Sequence, residues 1–90
     1  MKIRERYVFS GYVQGVGFRF RAYHAANLMG LTGWVRNEYD GSVTMEIQGK
    51  RDDINSALDI IRDSRFIDIE NCESERLPVD PDESSFQVLG

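Results

Sequence analysis

Gln14-Gly15-Val16-Gly17-Phe18-Arg19 gathers residue types that can enclose a small anion. Two glycines one residue apart let the backbone curl until successive N–H groups converge on one point. The apolar period changes at Phe18, so the stretch opens onto a helix whose start adds free donors and a partial positive charge. Arg19 falls in the first helical turn, where it can fold back a planar fork of donors. A cation at that end of a helix costs about 0.3–1 kcal/mol unless an anion pairs with it. These parts describe a cradle for a phosphate-sized dianion. Asn37 closes a second short stretch, Gly33-Trp34-Val35-Arg36-Asn37. Its carboxamide has no useful basicity near neutral pH, so it cannot act as a base. Plainer uses exist for each part: a strand–glycine–helix turn is common, an arginine at a helix start is ordinarily solvated, and an asparagine often just ends a strand.

The elements that must position these residues follow from the apolar spacing. Tyr7, Phe9 and Val13 fall on one parity, against Val8, Ser10 and Tyr12, and predict a strand over about residues 4–13. Phe18, Ala22, Ala25, Ala26 and Met29 make one helical stripe, with Gly30 where a helix-ending glycine belongs. Thr32 to Asn37 is β-branched and aromatic, and Asp40-Gly41 marks a hairpin turn. Val43, Met45 and Ile47 alternate with Ser42, Thr44, Glu46 and Gln48, which predicts a returning strand with one buried face. Ile54, Ala57, Leu58 and Ile61 form a second helical stripe, with Asp52 and Asp53 at its dipole-positive start. Ile67 and Ile69 suggest another strand, residues 77–82 a loop, and Phe86 with Val88 a short last strand. The order β-α-β-β-α-β predicts an α+β fold: a ferredoxin-like sandwich with a mostly antiparallel four- to five-stranded sheet and two helices on one face.

Composition sets the boundaries. Ninety residues, 41% hydrophobic and 29% charged, suit one globular domain over 1–90. No apolar run approaches the roughly 18–20 residues of a membrane span, and Met1 to Arg6 shows no secretory signal, so the expected location is the cytoplasm. One cysteine, Cys72, and one histidine, His24, make neither an internal disulfide nor a set of soft metal ligands. Cys72 reads as a plain thiol, His24 as a surface residue, and the acidic run Asp80 to Glu83 as a solvated loop. No metal or other cofactor is expected. The net charge of −4 argues against general affinity for nucleic acid or anionic membranes. Through residue 36, however, six basic side chains face one acidic, which leaves room for one small anion.

Taken together, Val13-Gln14-Gly15-Val16-Gly17-Phe18-Arg19 resembles the first signature of the acylphosphatases. Gly33-Trp34-Val35-Arg36-Asn37, with Gly41, Val43 and Gly49, resembles their second. Beyond residue 50 the likeness is one of pattern and length. The resemblance implies hydrolysis of the carboxyl–phosphate anhydride of small acyl phosphates. It implies that Arg19 binds the phosphate and acts in catalysis, and that Asn37 orients water. Gln14, Gly15, Val16, Gly17 and Phe18 become the loop whose backbone lines the site. A monomer is expected.

Two other readings compete. An acylphosphatase-like module that binds carbamoyl phosphate inside a larger maturation protein shares the loop. Such modules usually run on into CxxC repeats and often place proline after the arginine, whereas Phe20 follows Arg19 and the sequence ends at Gly90. An RNA-binding sandwich would need aromatic and basic side chains on the middle strands. Ser42, Thr44, Glu46 and Gln48 on the face away from the core do not supply them.

Overall fold

The computed structural model describes residues 1–90. Strand β1 spans Lys2–Tyr12, helix α1 Phe18–Leu28, β2 Thr32–Asn37, β3 Val43–Lys50, helix α2 Arg51–Arg62, β4 Asp68–Leu77 and β5 Phe86–Leu89. The sheet order is β4-β1-β3-β2-β5. β1 runs antiparallel to β3 and β4, β2 antiparallel to β3, and β5 parallel to β2. This is the ferredoxin-like sandwich with a fifth strand added at one edge.

One face of the sheet is packed as its alternation dictates. Tyr7 and Phe9 of β1, Val35 of β2 and Val43, Met45 and Ile47 of β3 are buried in one cluster with Phe18, Ala22, Ala25 and Ala26 of α1 and Ile54, Ala57, Leu58 and Ile61 of α2. The Phe9 and Phe18 rings lie 4.9 Å apart and fix the start of α1 over β1. Truncating a ring buried in this way typically costs about 3–5 kcal/mol. Gly33 explains itself by close approach: a Cβ there would stand 1.9 Å from the Glu46 carbonyl oxygen on the neighbouring strand.

The second face departs from expectation. Ser42, Thr44 and Gln48 are buried, so β3 is covered on both sides. Thr44 donates to Glu38 at 2.7 Å and Ser42 to Asp40 at 2.6 Å in the turn after β2, and Gln48 is covered by the segment between β4 and β5. Gln48 donates from Nε2 to the Asp80 carbonyl at 2.9 Å and accepts from the Asp80 N–H at 2.8 Å. Arg4, itself buried, joins Glu46 of β3 to Glu83 of that segment at 2.9 and 2.8 Å. The acidic run is therefore anchored rather than simply solvated. A pattern of apolar residues cannot reveal a face sealed by ion pairs and amide hydrogen bonds.

β4 is also longer than the two isoleucines suggested. It continues to Leu77 as an edge strand paired only with β1, and its largely exposed charged residues leave no apolar period to read. β1 begins at Lys2 and ends at Tyr12, with the buried Val13 just beyond it.

Where β1 meets the start of α2, Glu5 accepts from Arg51 at 2.7 Å and lies 3.6 Å from Arg76. Arg51 foremost, with the Tyr7 hydroxyl, lowers its carboxyl to about 2. A carboxylate held below its unfolded value, about 4.3, contributes stability that is full above that value and fades as pH falls toward 2. Urea unfolding followed across acid pH should show that loss in the wild type. Glu5→Gln should flatten it, with a lower midpoint at neutral pH than the wild type.

Candidate active site

The turn from β1 into α1 is shaped by two glycines of left-handed conformation. Gly15 has φ +73° and Gly17 φ +82°, while Val16 between them stays on the ordinary side, since no residue other than glycine has positive φ. A Cβ at either glycine would meet nothing within 4 Å, so the requirement is backbone hand and not space. Alternating hands turn successive N–H groups toward one side. Gly17 is also the N-cap of α1, and no side chain caps the helix there. No acidic residue stands in its first turn, in contrast to Asp52 and Asp53 in α2. The N–H groups from Gln14 to Arg19 find no acceptor anywhere in the protein.

Arg19 follows in the first turn, half-buried. Arg4, Arg6, Arg36, Arg51 and Arg76 all join ion pairs; Arg19 joins none. Its guanidinium is free to meet an anion at the same helix end. Arg36, the other basic residue of the two signatures, is committed elsewhere. It binds Glu38 at 3.1 Å, lies over the Trp34 ring 5.0 Å from its centroid, and with Thr44 holds the Glu38 carboxyl below its usual range.

Asn37 reaches the same end of the sheet through strand register. It ends β2 opposite Val43 of β3, and Val43 stands opposite Phe9 of β1, near the end of the strand that feeds the glycine turn. The turn after Asn37 is built by its own polar groups: Asp40 accepts from the Ser42 N–H at 2.9 Å and from its hydroxyl at 2.6 Å. Ser42 foremost lowers the Asp40 carboxyl.

Gln14 joins the two halves. Its Nε2 donates to the Glu38 carbonyl at 2.7 Å and to the Ser42 carbonyl at 2.9 Å, so the glycine loop is bolted to the turn that follows Asn37. Sequence reasoning made Gln14 one of several backbone contributors and missed this strut. Only a knowledge of which carbonyls the turn leaves free could have found it.

The Asn37 Oδ1 is buried and accepts from no protein group, a condition shared only with Thr32 Oγ1 at the opposite end of β2. A buried acceptor left in that condition costs about 1–3 kcal/mol unless a donor comes from outside the protein. The arrangement thus offers a ring of N–H donors, a free guanidinium and an unsatisfied carboxamide oxygen. No three His, Cys, Asp or Glu side chains gather as a metal-binding group. His24 is exposed on α1, and Cys72 sits on β4, where burial pushes its thiol up and away from the reactive thiolate.

Comparison with known proteins bears on the family and the fold. The family model described as Acylphosphatase matches residues 5–88. A protein of Geobacillus thermodenitrificans named acylphosphatase is 39% identical over 87 residues, covering 96% of this chain and 93% of that one. The crystal structure of acylphosphatase from Bacillus subtilis is similar with a TM-score of 0.89 at 26% identity, covering 98% of this chain and 99% of that one. Full-length HypF, crystallised in a phosphate- and nucleotide-bound form, reaches a TM-score of 0.89 at 24% identity over 12% of its own length, a likeness of fold.

Gln14→Ala removes both bonds of the strut while leaving the glycines and Arg19 in place. Each such bond is worth about 0.5–1.5 kcal/mol net, so affinity for inorganic phosphate should fall roughly tenfold in calorimetric titration. Together the two bonds are worth about 1–3 kcal/mol to the fold, so the thermal unfolding midpoint should fall by several degrees as well. Unchanged phosphate affinity would remove Gln14 from the site.

Proposed function

The chain belongs to the acylphosphatase family and hydrolyses the carboxyl–phosphate anhydride of acyl phosphates to a carboxylate and inorganic phosphate, and from that premise we propose how its residues divide the reaction. The leaving carboxylate has a conjugate acid of pKa about 4, so it departs as an anion and needs no strong general acid. What remains is to gather the phosphoryl group, balance the charge on its equatorial oxygens, and bring water in line.

The N–H groups of the Gln14–Arg19 turn receive the phosphoryl oxygens, and Arg19 closes over them as a bidentate donor. Asn37 holds the attacking water through its carboxamide and so aims an oxygen lone pair at phosphorus. The new P–O bond forms as the P–O bond to the acyl group breaks. The acyl oxygen keeps the electron pair, and the water's proton passes to a phosphate oxygen or to solvent. The reading is supported above all by one coincidence: an unpaired arginine at a helix start whose amides have no protein acceptor.

No metal takes part in this scheme. We read the protein as one domain over 1–90 that acts as a cytoplasmic monomer and does not bind nucleic acid, in keeping with its net charge of −4. No helix is long and apolar enough to cross a membrane. The HypF likeness, confined to fold, gives no ground for preferring a carbamoyl-phosphate-binding module over a hydrolase.

Three substitutions separate the roles, with benzoyl phosphate hydrolysis and inhibition by inorganic phosphate as readouts. Arg19→Ala should lower kcat/KM about 10²–10³-fold, the usual cost of one preorganised donor to a developing charge, and weaken inhibition by phosphate. Arg19→Lys should recover little, because a point charge does not reproduce the planar fork. Asn37→Ala should lower kcat steeply while phosphate inhibition stays near the wild-type value. Near-normal turnover in Arg19→Ala would overturn the scheme.

A further inference from the structure

The cradle accounts for the phosphoryl group of the substrate and leaves its acyl group without a seat. A groove of about 370 Å³ borders the cradle and shares two of its residues, Val16 and Gly17, as walls. Its other walls include Phe20 and His24 of α1, Ile60 of α2, and Phe66 just after α2. The volume lies within the roughly 300–1,000 Å³ of small-molecule sites.

Phe20 is 70% exposed and Phe66 66% exposed. Tyr12, Leu28 and Tyr39 are as exposed, but Phe20 and Phe66 share the walls of one groove, and it is clustered apolar surface that marks a place of contact. Both rings are held. His24 meets Phe20 edge-on at 4.3 Å, and the Arg65 guanidinium lies over the Phe66 ring, 5.4 Å from its centroid. The floor is fixed as well, since Arg21 donates from Nε to the Ile60 carbonyl at 2.6 Å and ties α1 to α2.

We infer that this groove is the acyl subsite, and that it favours substrates whose acyl group is an apolar chain or ring. The inference rests on the reading of the cradle, because Gly17, the N-cap of the helix that receives the phosphoryl group, is also a wall of the groove. An apolar acyl group lying in the groove can cover Phe20 and Phe66 and remove their faces from water. An acetyl group has only one methyl to offer them. Phe20 and Phe66 are specificity residues and touch no reacting atom.

The test compares acetyl, hexanoyl and succinyl phosphate, with inhibition by inorganic phosphate measured alongside. Acetic and hexanoic acids are nearly equal in strength, so the first pair differs in chain length and hardly at all in leaving-group chemistry. The wild type should favour hexanoyl over acetyl phosphate about tenfold in kcat/KM, within the range that apolar contacts supply. Phe20→Ala and Phe66→Ala should each cut that preference severalfold, and the double variant should bring it to about twofold or less. Hydrolysis of acetyl phosphate and inhibition by phosphate should stay unchanged in all three. A chain-length preference that survives both substitutions, its absence from the wild type, or a preference for succinyl over hexanoyl phosphate overturns the subsite and leaves the cradle standing. Failure of the wild type to hydrolyse any of the three overturns the cradle reading and the subsite with it.

Discussion

Helix α1 begins without a cap, and much of the site follows from that. A helix start carries N–H groups that must find acceptors, and most helices answer with a serine, threonine or aspartate side chain or with acids in the first turn. Here Gly17 offers no side chain, and an arginine stands where an acid would be favourable. Both choices raise the energy of the empty helix end, and both lower it when an anion arrives. The left-handed glycines belong to the same constraint: they aim the amides, and a side chain at either would be strained by the backbone although space for it exists. The site is thus a local sacrifice of stability that binding reverses.

That sacrifice demands a rigid frame, because amides aimed at a point are useful only while the aim holds. Phe9 against Phe18 fixes the helix start, and Gln14 ties the loop to the turn beyond Asn37. The sheet supplies the rest. The row Phe9, Val43, Asn37 crosses three strands in register, so the distance between loop and carboxamide is set by strand spacing and not by flexible chain. Arg4, between Glu46 and Glu83, staples the far segment across the back of this same sheet. With that cover β3 is buried on both faces and cannot twist independently of its neighbours.

How far these features could be read from the residues depends on what kind of force makes them. The glycine turn, the α1 stripe, the Asp-Gly hairpin and the two signature stretches are written locally, in spacing and residue type, and each lies where the spacing put it. The back of the sheet is different. Arg4, Gln48 and Glu83 lie far apart in sequence and look like ordinary surface residues until the fold brings them together. Residues 70–76 of β4 failed for a related reason, since an edge strand with both faces largely in water has no period to detect. The Gln14 strut needed the free carbonyls of a turn that begins 24 positions away. Gly33 shows the converse limit: a motif glycine, legible as important, whose reason is a neighbouring carbonyl and not chemistry.

The reaction itself explains why so little chemical machinery is present. An anhydride whose leaving group departs as a carboxylate asks for no acid, and a loose, metaphosphate-like transition state asks little of the nucleophile, so water suffices. The barrier left over is one of charge and position. In the proposed scheme amides at fixed angles, one guanidinium and one carboxamide answer it without any group that must change protonation in each cycle. The pH dependence of turnover should therefore come from the substrate and from the fold's own ion pairs. Of those pairs, Glu5 with Arg51 lies at the opposite end of β1 from the glycine turn and bears on whether the frame stands. On this reading charge and position are the catalytic resources the chain supplies, and both hold only while the frame keeps its shape.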